Sequence, residues 1–576
     1  MANGARRTAY HMPLHAPSVA ARRDDDPTLS PSGPYRSWKQ FGLVVLCGAW
    51  VVLGLVGHDP WKTEDATSFG IVHETLHGGD LATPNLVGEP FVDRPPAVYA
   101  LATLTAELAG RVLPEHDAAR LAAGVLLALT IWLLALTGHE LIGRNFRWMP
   151  SLLLVGSVGL WDRAHQLAPE LGLLAGVAIA QYGFALALRR PAAGGAILGL
   201  GTAFAFLARG FMGPVWLVAT AIVLPLAFAS WRNRRYATTA AIALAVALPL
   251  SAAWPLSLAV SSPSEFAAWW GAQAWTDWFG PLSPKAPADP VVLLKNLPWF
   301  AWPALPLAAW TLWMRGRGFN GGLATPAIEL PGTLAAVMLV SIAIMSEPRV
   351  PYLMPVLLPL ALLGAAEIDT LKRGYSGALD WFGILTFGLA AALAWGLWID
   401  ASLRGMTAPV ARVLRDTEAG YHPPFQILAV VVSALLTLLW LVLVRPARRS
   451  NRRAVLNWAA GMTLLWALYS TIWLPYLDSR RSYRTVAQAI ASHLPARGCV
   501  ASRNLGEPQR ALLQYFAGLV TVREETTPKN DCPALLVQYG RLDGPPPVPD
   551  GWTVAWQGQR RGDDTERFVL YARSAP

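Results

Sequence analysis

The stretch that decides the fold is 121–138, LAAGVLLALTIWLLALTG, which contains no charged residue. An apolar run of about 20 residues is long enough to cross a hydrocarbon core of roughly 30 Å as a helix. Similar blocks recur along the 576 residues, of which 54% are hydrophobic and 15% charged, against about 25% charged in soluble domains. The composition therefore predicts a polytopic α-helical membrane protein.

We predict thirteen transmembrane helices, which together form a membrane domain over 41–475. Their expected bounds are 41–57, 118–138, 147–161, 168–188, 193–208, 211–229, 237–259, 293–314, 331–346, 350–367, 380–400, 425–444 and 455–475. Residues 1–40 are polar and lack the apolar run that follows the basic start of a signal peptide. We therefore expect them to form a disordered cytoplasmic tail.

The orientation follows from the basic residues, which favour the cytoplasmic side of short loops. With the N-terminus inside, the inner loops carry sixteen Lys or Arg, whereas the outer loops between the third and twelfth helices carry seven. The odd number of helices then places 476–576 outside as an exported α/β domain. In this domain Cys499 and Cys532 either form a disulfide, as an oxidising compartment permits, or remain free thiols.

The net charge of +10 is spread between apolar blocks rather than along one face. Nucleic-acid binding needs a continuous basic surface, so we expect no nucleic-acid partner. The membrane lipids are the expected surroundings of the chain.

The first outer loop, 58–117, contains two stretches with helical periodicity, 66–76 and 96–108, which we expect to lie along the membrane surface. Ionisable groups near a membrane boundary are costly to desolvate and therefore indicate a function. Those at the predicted outer face are Glu64, Asp65, Asp93, Arg94, Glu170, Arg209 and Arg349. Taken singly, the acidic residues also suit helix N-termini, and Asp93-Arg94 suits a turn before two prolines.

The order of these residues resembles that of a known family. The acidic pair is followed by GDLATPNL at 79–86, GEPFVDRPPAVY at 88–99, APE at 168–170, LARG at 207–210 and SEPRVPYLMP at 346–355. This order resembles the polyprenyl-phosphate-dependent glycosyltransferases of the aminoarabinose transferase and protein mannosyltransferase superfamily, which are GT-C-type membrane enzymes. The chain departs from that family in reversing the acidic pair and in carrying Asp93-Arg94 and Arg209-Gly210 where Glu-Lys and Lys-Gly are usual.

The resemblance implies an inverting glycosyltransferase of the bacterial inner membrane, with its site and its C-terminal domain in the periplasm. The donor would be a sugar carried on a polyprenyl phosphate such as undecaprenyl phosphate. The acceptor would be lipid A, another envelope lipid or glycan, or a protein. A transporter or flippase of a lipid-linked substrate is the alternative. Transporters place their polar residues near mid-membrane, whereas the charges here lie at the outer ends of the helices.

The resemblance also implies roles for the site residues. Arg94, Arg209 and Arg349 would hold the donor phosphate, with a hydrogen bond donated by Tyr352. Either Glu64 or Asp65 would take a proton from the acceptor or orient it, and the family pattern favours Glu64. Glu170 would act with them or orient the sugar, and Asp93 would support the site.

We expect no required cofactor. His73 and His77 have the i, i+4 spacing that can bind zinc on a helix. Such histidines are more often simply interfacial, so a divalent metal is the less favoured alternative.

Overall fold

The computed structural model describes residues 34–279, 291–346, 348–413, 422, 424–445, 450–495, 498–561, 563 and 565–573. The predicted tail falls largely outside these residues, as do Glu347 and the loop residues Lys285, Arg415, Arg448 and Arg449. The helices of the membrane domain are α1 (Pro34–Val52), α2 (Glu64–Leu76), α3 (Ala97–Ala109), α4 (Glu115–Leu141), α5 (Met149–Val155), α6 (Pro169–Ala187), α7 (Pro191–Arg209), α8 (Met212–Ala227), α9 (Arg234–Ser261), α10 (Pro263–Gly271), α11 (Thr276–Phe279), α12 (Val291–Phe300), α13 (Ala304–Gly316), α14 (Pro326–Ile344), α15 (Leu357–Ala366), α16 (Arg373–Arg404), α17 (Ala408–Val413), α18 (Ile427–Leu443) and α19 (Asn451–Tyr469).

Six of the described helices are long and apolar enough to cross a membrane: α4, α6, α7, α9, α14 and α16. The pair formed by α19 and the following helix α20 (Leu474–Arg481), which is bent by 63°, brings the number to seven. Shorter apolar helices lie at Phe41–Val52, Ala97–Ala109, Met212–Ala227, Val350–Ala366 and Ile427–Leu443. The predicted polytopic helical fold is confirmed, and the count of thirteen stays a prediction.

Several predicted boundaries differ from the structure, and three of the differences are informative. Helix α1 begins at Pro34, so the last residues of the predicted tail are helical. The predicted span 147–161 is α-helical only over Met149–Val155. The predicted span 293–314 is divided into α12 and α13, with Pro303 at the start of the second helix. A proline lacks the N–H that would continue the preceding helix, which explains a break at this position.

Glycines let the helices of the membrane domain approach one another closely. A Cβ added at Gly183 of α6 would lie 2.4 Å from the backbone nitrogen of Leu198 in α7. On the other side of α7, a Cβ at Gly199 would lie 2.6 Å from the carbonyl oxygen of Ala243 in α9. Helices in lipid associate through such close packing because burial from water does not drive them together.

The first outer loop contains the two surface helices that the sequence predicts. They are α2 and α3, and each begins and ends within two residues of its predicted bounds. Between them, the short strands β1 (Asn85–Leu86) and β2 (Glu89–Pro90) pair in antiparallel register, with Asn85 opposite Pro90. The loop is therefore a folded layer on top of the membrane helices.

The C-terminal domain is a five-stranded sheet with two helices, as the α/β prediction requires. It contains α21 (Arg484–Ser492), β3 (Val500–Arg503), α22 (Glu507–Ala517), β4 (Thr521–Arg523), β5 (Ala534–Gly540), β6 (Trp552–Gln559) and β7 (Glu566–Arg573). The strand order is β4-β3-β5-β7-β6; β3 is parallel to β4 and β5, and β7 is antiparallel to β5 and β6. Side chains of α21 and α22 pack on one face of this sheet.

The C-terminal domain lies directly on the first outer loop. Ala66 of α2 belongs to the core of the C-terminal domain. A Cβ at Gly70 would lie 2.6 Å from that of Ala511 in α22, so this glycine lets α2 and α22 touch. Polar contacts add to the interface, since Arg510 binds Glu89 at 3.0 Å. The outer loop and the C-terminal domain are thus one layer.

Cys499 and Cys532 form a disulfide, and Cys47 is a buried free thiol. The bond joins residues 33 apart in sequence. Closing a loop of this size stabilises the folded state by about 3–4 kcal/mol in the chain-entropy model.

We expect Cys499→Ser/Cys532→Ser to lower the unfolding temperature of the full-length protein, because the unfolded chain is no longer constrained. Tryptophan fluorescence during heating in detergent measures the change. Cys47→Ala, which removes a thiol but no disulfide, should change the unfolding temperature far less. Titration of three free thiols per chain without reductant would contradict the assignment.

Candidate active site

A cavity of about 300 Å³ lies between the first outer loop, the ends of the membrane helices and the C-terminal domain. It is lined by Thr63, Glu64, Thr67, Phe91, Asp93, Arg94, Arg209, Gln273, Thr276, Arg349, Glu507 and Pro508. The structure therefore brings together five of the residues that the sequence singled out: Glu64, Asp93, Arg94, Arg209 and Arg349.

Glu64 is the first residue of α2, and Arg94 holds its carboxylate with a two-pronged contact. Arg94 Nη1 donates to Glu64 Oε2 at 2.5 Å, and Nη2 donates to Oε1 at 3.3 Å. Burial raises the pKa of the Glu64 carboxyl, but the positive charges of Arg94, Arg209 and Arg349 outweigh this effect and hold the pKa below its ordinary value. One carboxylate thus lies among three guanidinium groups.

Arg209 ends α7 and is held in place from two sides. Its Nε donates to Glu170 Oε1 at 3.2 Å, and its Nη2 donates to the hydroxyl oxygen of Tyr352 at 2.7 Å. The guanidinium carbon also lies 5.2 Å from the centre of the Tyr352 ring, within cation–π range. Gly210, with φ +77°, ends the helix in a conformation that L side chains rarely adopt.

Glu170 and Tyr352 lie behind Arg209, inside the protein. Glu170 is 3% exposed, Tyr352 is fully buried, and neither lines the cavity. The hydroxyl of Tyr352 accepts a hydrogen bond from Arg209 and keeps its own O–H as a donor, so the expected bond to the phosphate stays a prediction. Both residues contact Arg209 and are placed to position it.

Asp65 differs from its neighbour Glu64 in lying wholly inside the protein. It is 1% exposed and pairs with Arg120 of α4, which is also 1% exposed, at 3.0 Å. Its oxygens also accept from the backbone nitrogens of Trp61 at 3.1 Å and Leu167 at 2.9 Å. Glu64 lines the cavity and Asp65 does not.

Arg120 was missed as a functional position because it falls inside a predicted transmembrane span. Its guanidinium donates to Asp117 at 2.9 Å and to the carbonyl oxygens of Leu55, His58 and Asp59 at 3.2–3.4 Å. The signal for Arg120 in the sequence is its position as a single arginine at the edge of an apolar block.

Glu507, from the start of α22, brings the C-terminal domain into the cavity. Burial and the nearby negative charge of Asp93 raise the pKa of the Glu507 carboxyl. Burial likewise raises the pKa of Asp93, although Arg94 and Arg209 oppose the shift. The sequence contains no signal for Glu507, nor for Gln273 and Thr276, because only the tertiary fold brings their segments to the site.

Known proteins that resemble this chain in sequence carry names from the family that the motifs indicate. No protein-family model matches the chain. The undecaprenyl phosphate-alpha-4-amino-4-deoxy-L-arabinose arabinosyl transferase of Pseudomonas aeruginosa (strain UCBPP-PA14) is 28% identical over 373 residues, which cover 61% of this chain and 64% of that protein. The enzyme of the same name from Pectobacterium carotovorum subsp. carotovorum (strain PC1) is 26% identical, covering 61% of this chain and 63% of the other. The match thus spans less than two thirds of these relatives.

A solved structure extends the likeness to almost the whole chain. The crystal structure of ArnT from Cupriavidus metallidurans bound to undecaprenyl phosphate superposes with a TM-score of 0.65 at 17% identity, covering 93% of this chain and 98% of ArnT. Its apo state gives a TM-score of 0.67 at 16% identity. The fold is therefore the GT-C-type fold that the motifs predict, and the resemblance to lipid-carrier glycosyltransferases is confirmed.

The geometry predicts unequal losses of stability for substitutions at two adjacent residues. Asp65→Asn removes one of the two carboxylates that neutralise the buried Arg120 and leaves Asp117 as the other, so we expect a loss of about 1.5–3 kcal/mol in stability. Glu64→Gln should cost less, because Glu64 is 27% exposed at the cavity wall, where water can solvate the charge of Arg94. Thermal unfolding of both purified variants in detergent measures the difference. Equal unfolding temperatures for the two variants would contradict the structural role of Asp65.

Proposed function

We propose that this protein transfers a sugar from a polyprenyl-phosphate carrier to an acceptor of the bacterial envelope, at the outer face of the inner membrane. The observation that carries the proposal is the convergence of Arg94, Arg209 and Arg349 around Glu64 in one cavity. The named relatives act on undecaprenyl phosphate-alpha-4-amino-4-deoxy-L-arabinose, which is therefore the first donor to test. A lipid such as lipid A, a glycan or a protein is the acceptor class.

The three arginines suit the leaving group of this reaction. An oxygen of the acceptor attacks the anomeric carbon, the carbon–oxygen bond to the phosphate breaks, and its electron pair passes to the phosphate. The negative charge on the phosphate grows during this step, so fixed guanidinium groups stabilise the transition state more than the bound donor. Attack from the face opposite the leaving phosphate inverts the anomeric carbon.

Arg94 contacts the candidate base Glu64 and would also contact the donor phosphate. It binds Glu64 through both terminal nitrogens, and a donor phosphate in the cavity would compete for the same guanidinium. Release of Glu64 from this pair would raise the basicity of its carboxylate as the donor binds. Glu64 can then take the proton of a hydroxyl acceptor, or orient an acceptor that is already ionised.

An apolar groove beside the cavity suits the polyprenyl chain. It has a volume of about 510 Å³ and is bounded by residues of α7, α8, α9 and α10, including Phe206, Leu244 and Trp270, and by Phe211 between α7 and α8. Trp269 and Trp270 of α10 line the groove, and the turn that follows α10 carries Gln273 into the arginine cavity. A lipid with its chain in the groove and its phosphate in the cavity would match the apolar lining of the first and the positive charges of the second.

The orientation is part of the proposal. With the N-terminus in the cytoplasm, the cavity and the C-terminal domain lie in the periplasm. The disulfide between Cys499 and Cys532 supports this side, because such bonds persist in oxidising compartments.

Glu64→Gln and Arg94→Ala should each reduce sugar transfer while the protein folds normally. Loss of a general base costs about 10²–10⁴-fold, and loss of one charge-stabilising donor about 10²–10³-fold. The assay follows a labelled undecaprenyl phosphate-linked sugar into purified envelope acceptors in detergent micelles. Arg189→Ala is the matched control, because Arg189 is exposed and pairs with Glu140 away from the cavity. Transfer that survives both site substitutions would overturn the proposal. With the protein reconstituted into vesicles, movement of the lipid-linked sugar across the bilayer without transfer would favour a flippase.

The pH dependence of transfer should show the effect of the nearby arginines on the pKa of Glu64. The positive charges hold the pKa of Glu64 below its ordinary value, so activity should persist to correspondingly low pH. In Arg94→Ala one of the opposing charges is gone and burial remains, so the acid limb of kcat/KM should move to higher pH. An acid limb that stays in place in Arg94→Ala, as it should in Arg189→Ala, would show that Glu64 is not the group that titrates.

A further inference from the structure

A second cluster of chemically active side chains lies at the other end of α2. His73 and His77, from the last turn of α2 and the residue after it, meet Glu115 from the first turn of α4. One ligand atom of each residue lies within 4.8 Å of the others, and within the described part of the chain this is the group of three with metal-ligand geometry. We propose that His73, His77 and Glu115 bind a divalent transition-metal ion, with zinc as the expected metal.

In both histidines the hydrogen bonds engage Nδ1 and leave Nε2 available to bind a metal. His77 Nδ1 contacts the carbonyl oxygen of His73 at 2.8 Å, and His73 Nδ1 contacts Glu115 Oε1 at 2.7 Å. A carbonyl and a carboxylate can only accept, so both Nδ1 atoms carry the proton. Each neutral ring then has its lone pair on Nε2, as in metal-binding histidines whose other nitrogen donates to an oxygen.

The two rings are already close together. Their centroids lie 4.3 Å apart, with the planes tilted by 52°, and a ligand atom of each ring lies within 4.8 Å of one on the other ring and of one on Glu115. Glu115 supplies the negative charge, either as a third ligand or through the hydrogen bond that orients His73. Two imidazoles and one carboxylate are a donor set that zinc accepts, whereas magnesium and calcium prefer oxygen ligands.

The location leaves room for water and separates the site from the reaction. His77 is exposed, and His73 and Glu115 are half-buried, so water can complete the coordination. His73 lies nine residues after Glu64, which is about 13 Å along the axis of a helix. The ion would therefore fasten the end of α2 to the start of α4, and its role is structural. The inference does not depend on the proposed glycosyl transfer.

The test uses full-length protein without a polyhistidine tag, stripped with a chelator and titrated with zinc chloride. Bound zinc is measured by elemental mass spectrometry after desalting, and the unfolding temperature is recorded in parallel. We expect one zinc ion per chain and a higher unfolding temperature. Magnesium chloride at the same concentration should leave the unfolding temperature unchanged. Cobalt(II) should give the intense visible absorption of low-coordinate nitrogen and oxygen ligation.

His73→Ala and His77→Ala should abolish this binding, and Glu115→Gln should weaken it about 10–100-fold. His493→Ala is the matched control, because His493 is also exposed and its Nδ1 also bonds to the carbonyl oxygen four residues earlier. The proposal is overturned if the parent protein retains no zinc, or if His493→Ala lowers zinc binding as much as His77→Ala does. Transfer activity is not needed for any of these readings.

Discussion

The buried pair of Asp65 and Arg120 is the contact on which the site depends. Arg120 belongs to α4, a helix of the membrane domain, and it binds three carbonyl oxygens of the turn between α1 and α2. Through Asp65 it also fixes the first turn of α2. Successive side chains of a helix point about 100° apart, so turning Asp65 inward turns Glu64 toward the cavity. One arginine thus joins the membrane domain, the outer loop and the orientation of the candidate base.

A second set of contacts holds the cationic side of the site. Arg209 is aimed by Glu170 and Tyr352, and Arg94 is held by Glu64. Side chains fixed in this way need little reorganisation when charge develops on a substrate, which is the condition for electrostatic catalysis. The C-terminal domain completes the cavity wall with Glu507, so this domain is part of the candidate site.

The sequence predicted the architecture and much of the site, for physical reasons that also explain its failures. Apolar blocks reveal membrane helices because lipid requires them, and the motif order named Glu64, Arg94, Arg209 and Arg349 before the structure placed them in one cavity. The choice between Glu64 and Asp65 depends on the rotation of α2, which tertiary packing sets. Glu507 reaches the site only through docking of a distant domain, and no local pattern marks such a residue.

The central claim is that the arginine cavity receives the phosphate of a lipid-linked sugar. A cryo-electron microscopy structure of the protein with undecaprenyl phosphate-linked aminoarabinose tests it most directly. We expect phosphate density within hydrogen-bond distance of Arg94 and Arg349, with the polyprenyl chain in the groove between α7 and α9. A phosphate bound elsewhere, with the Glu64–Arg94 pair undisturbed, would contradict it.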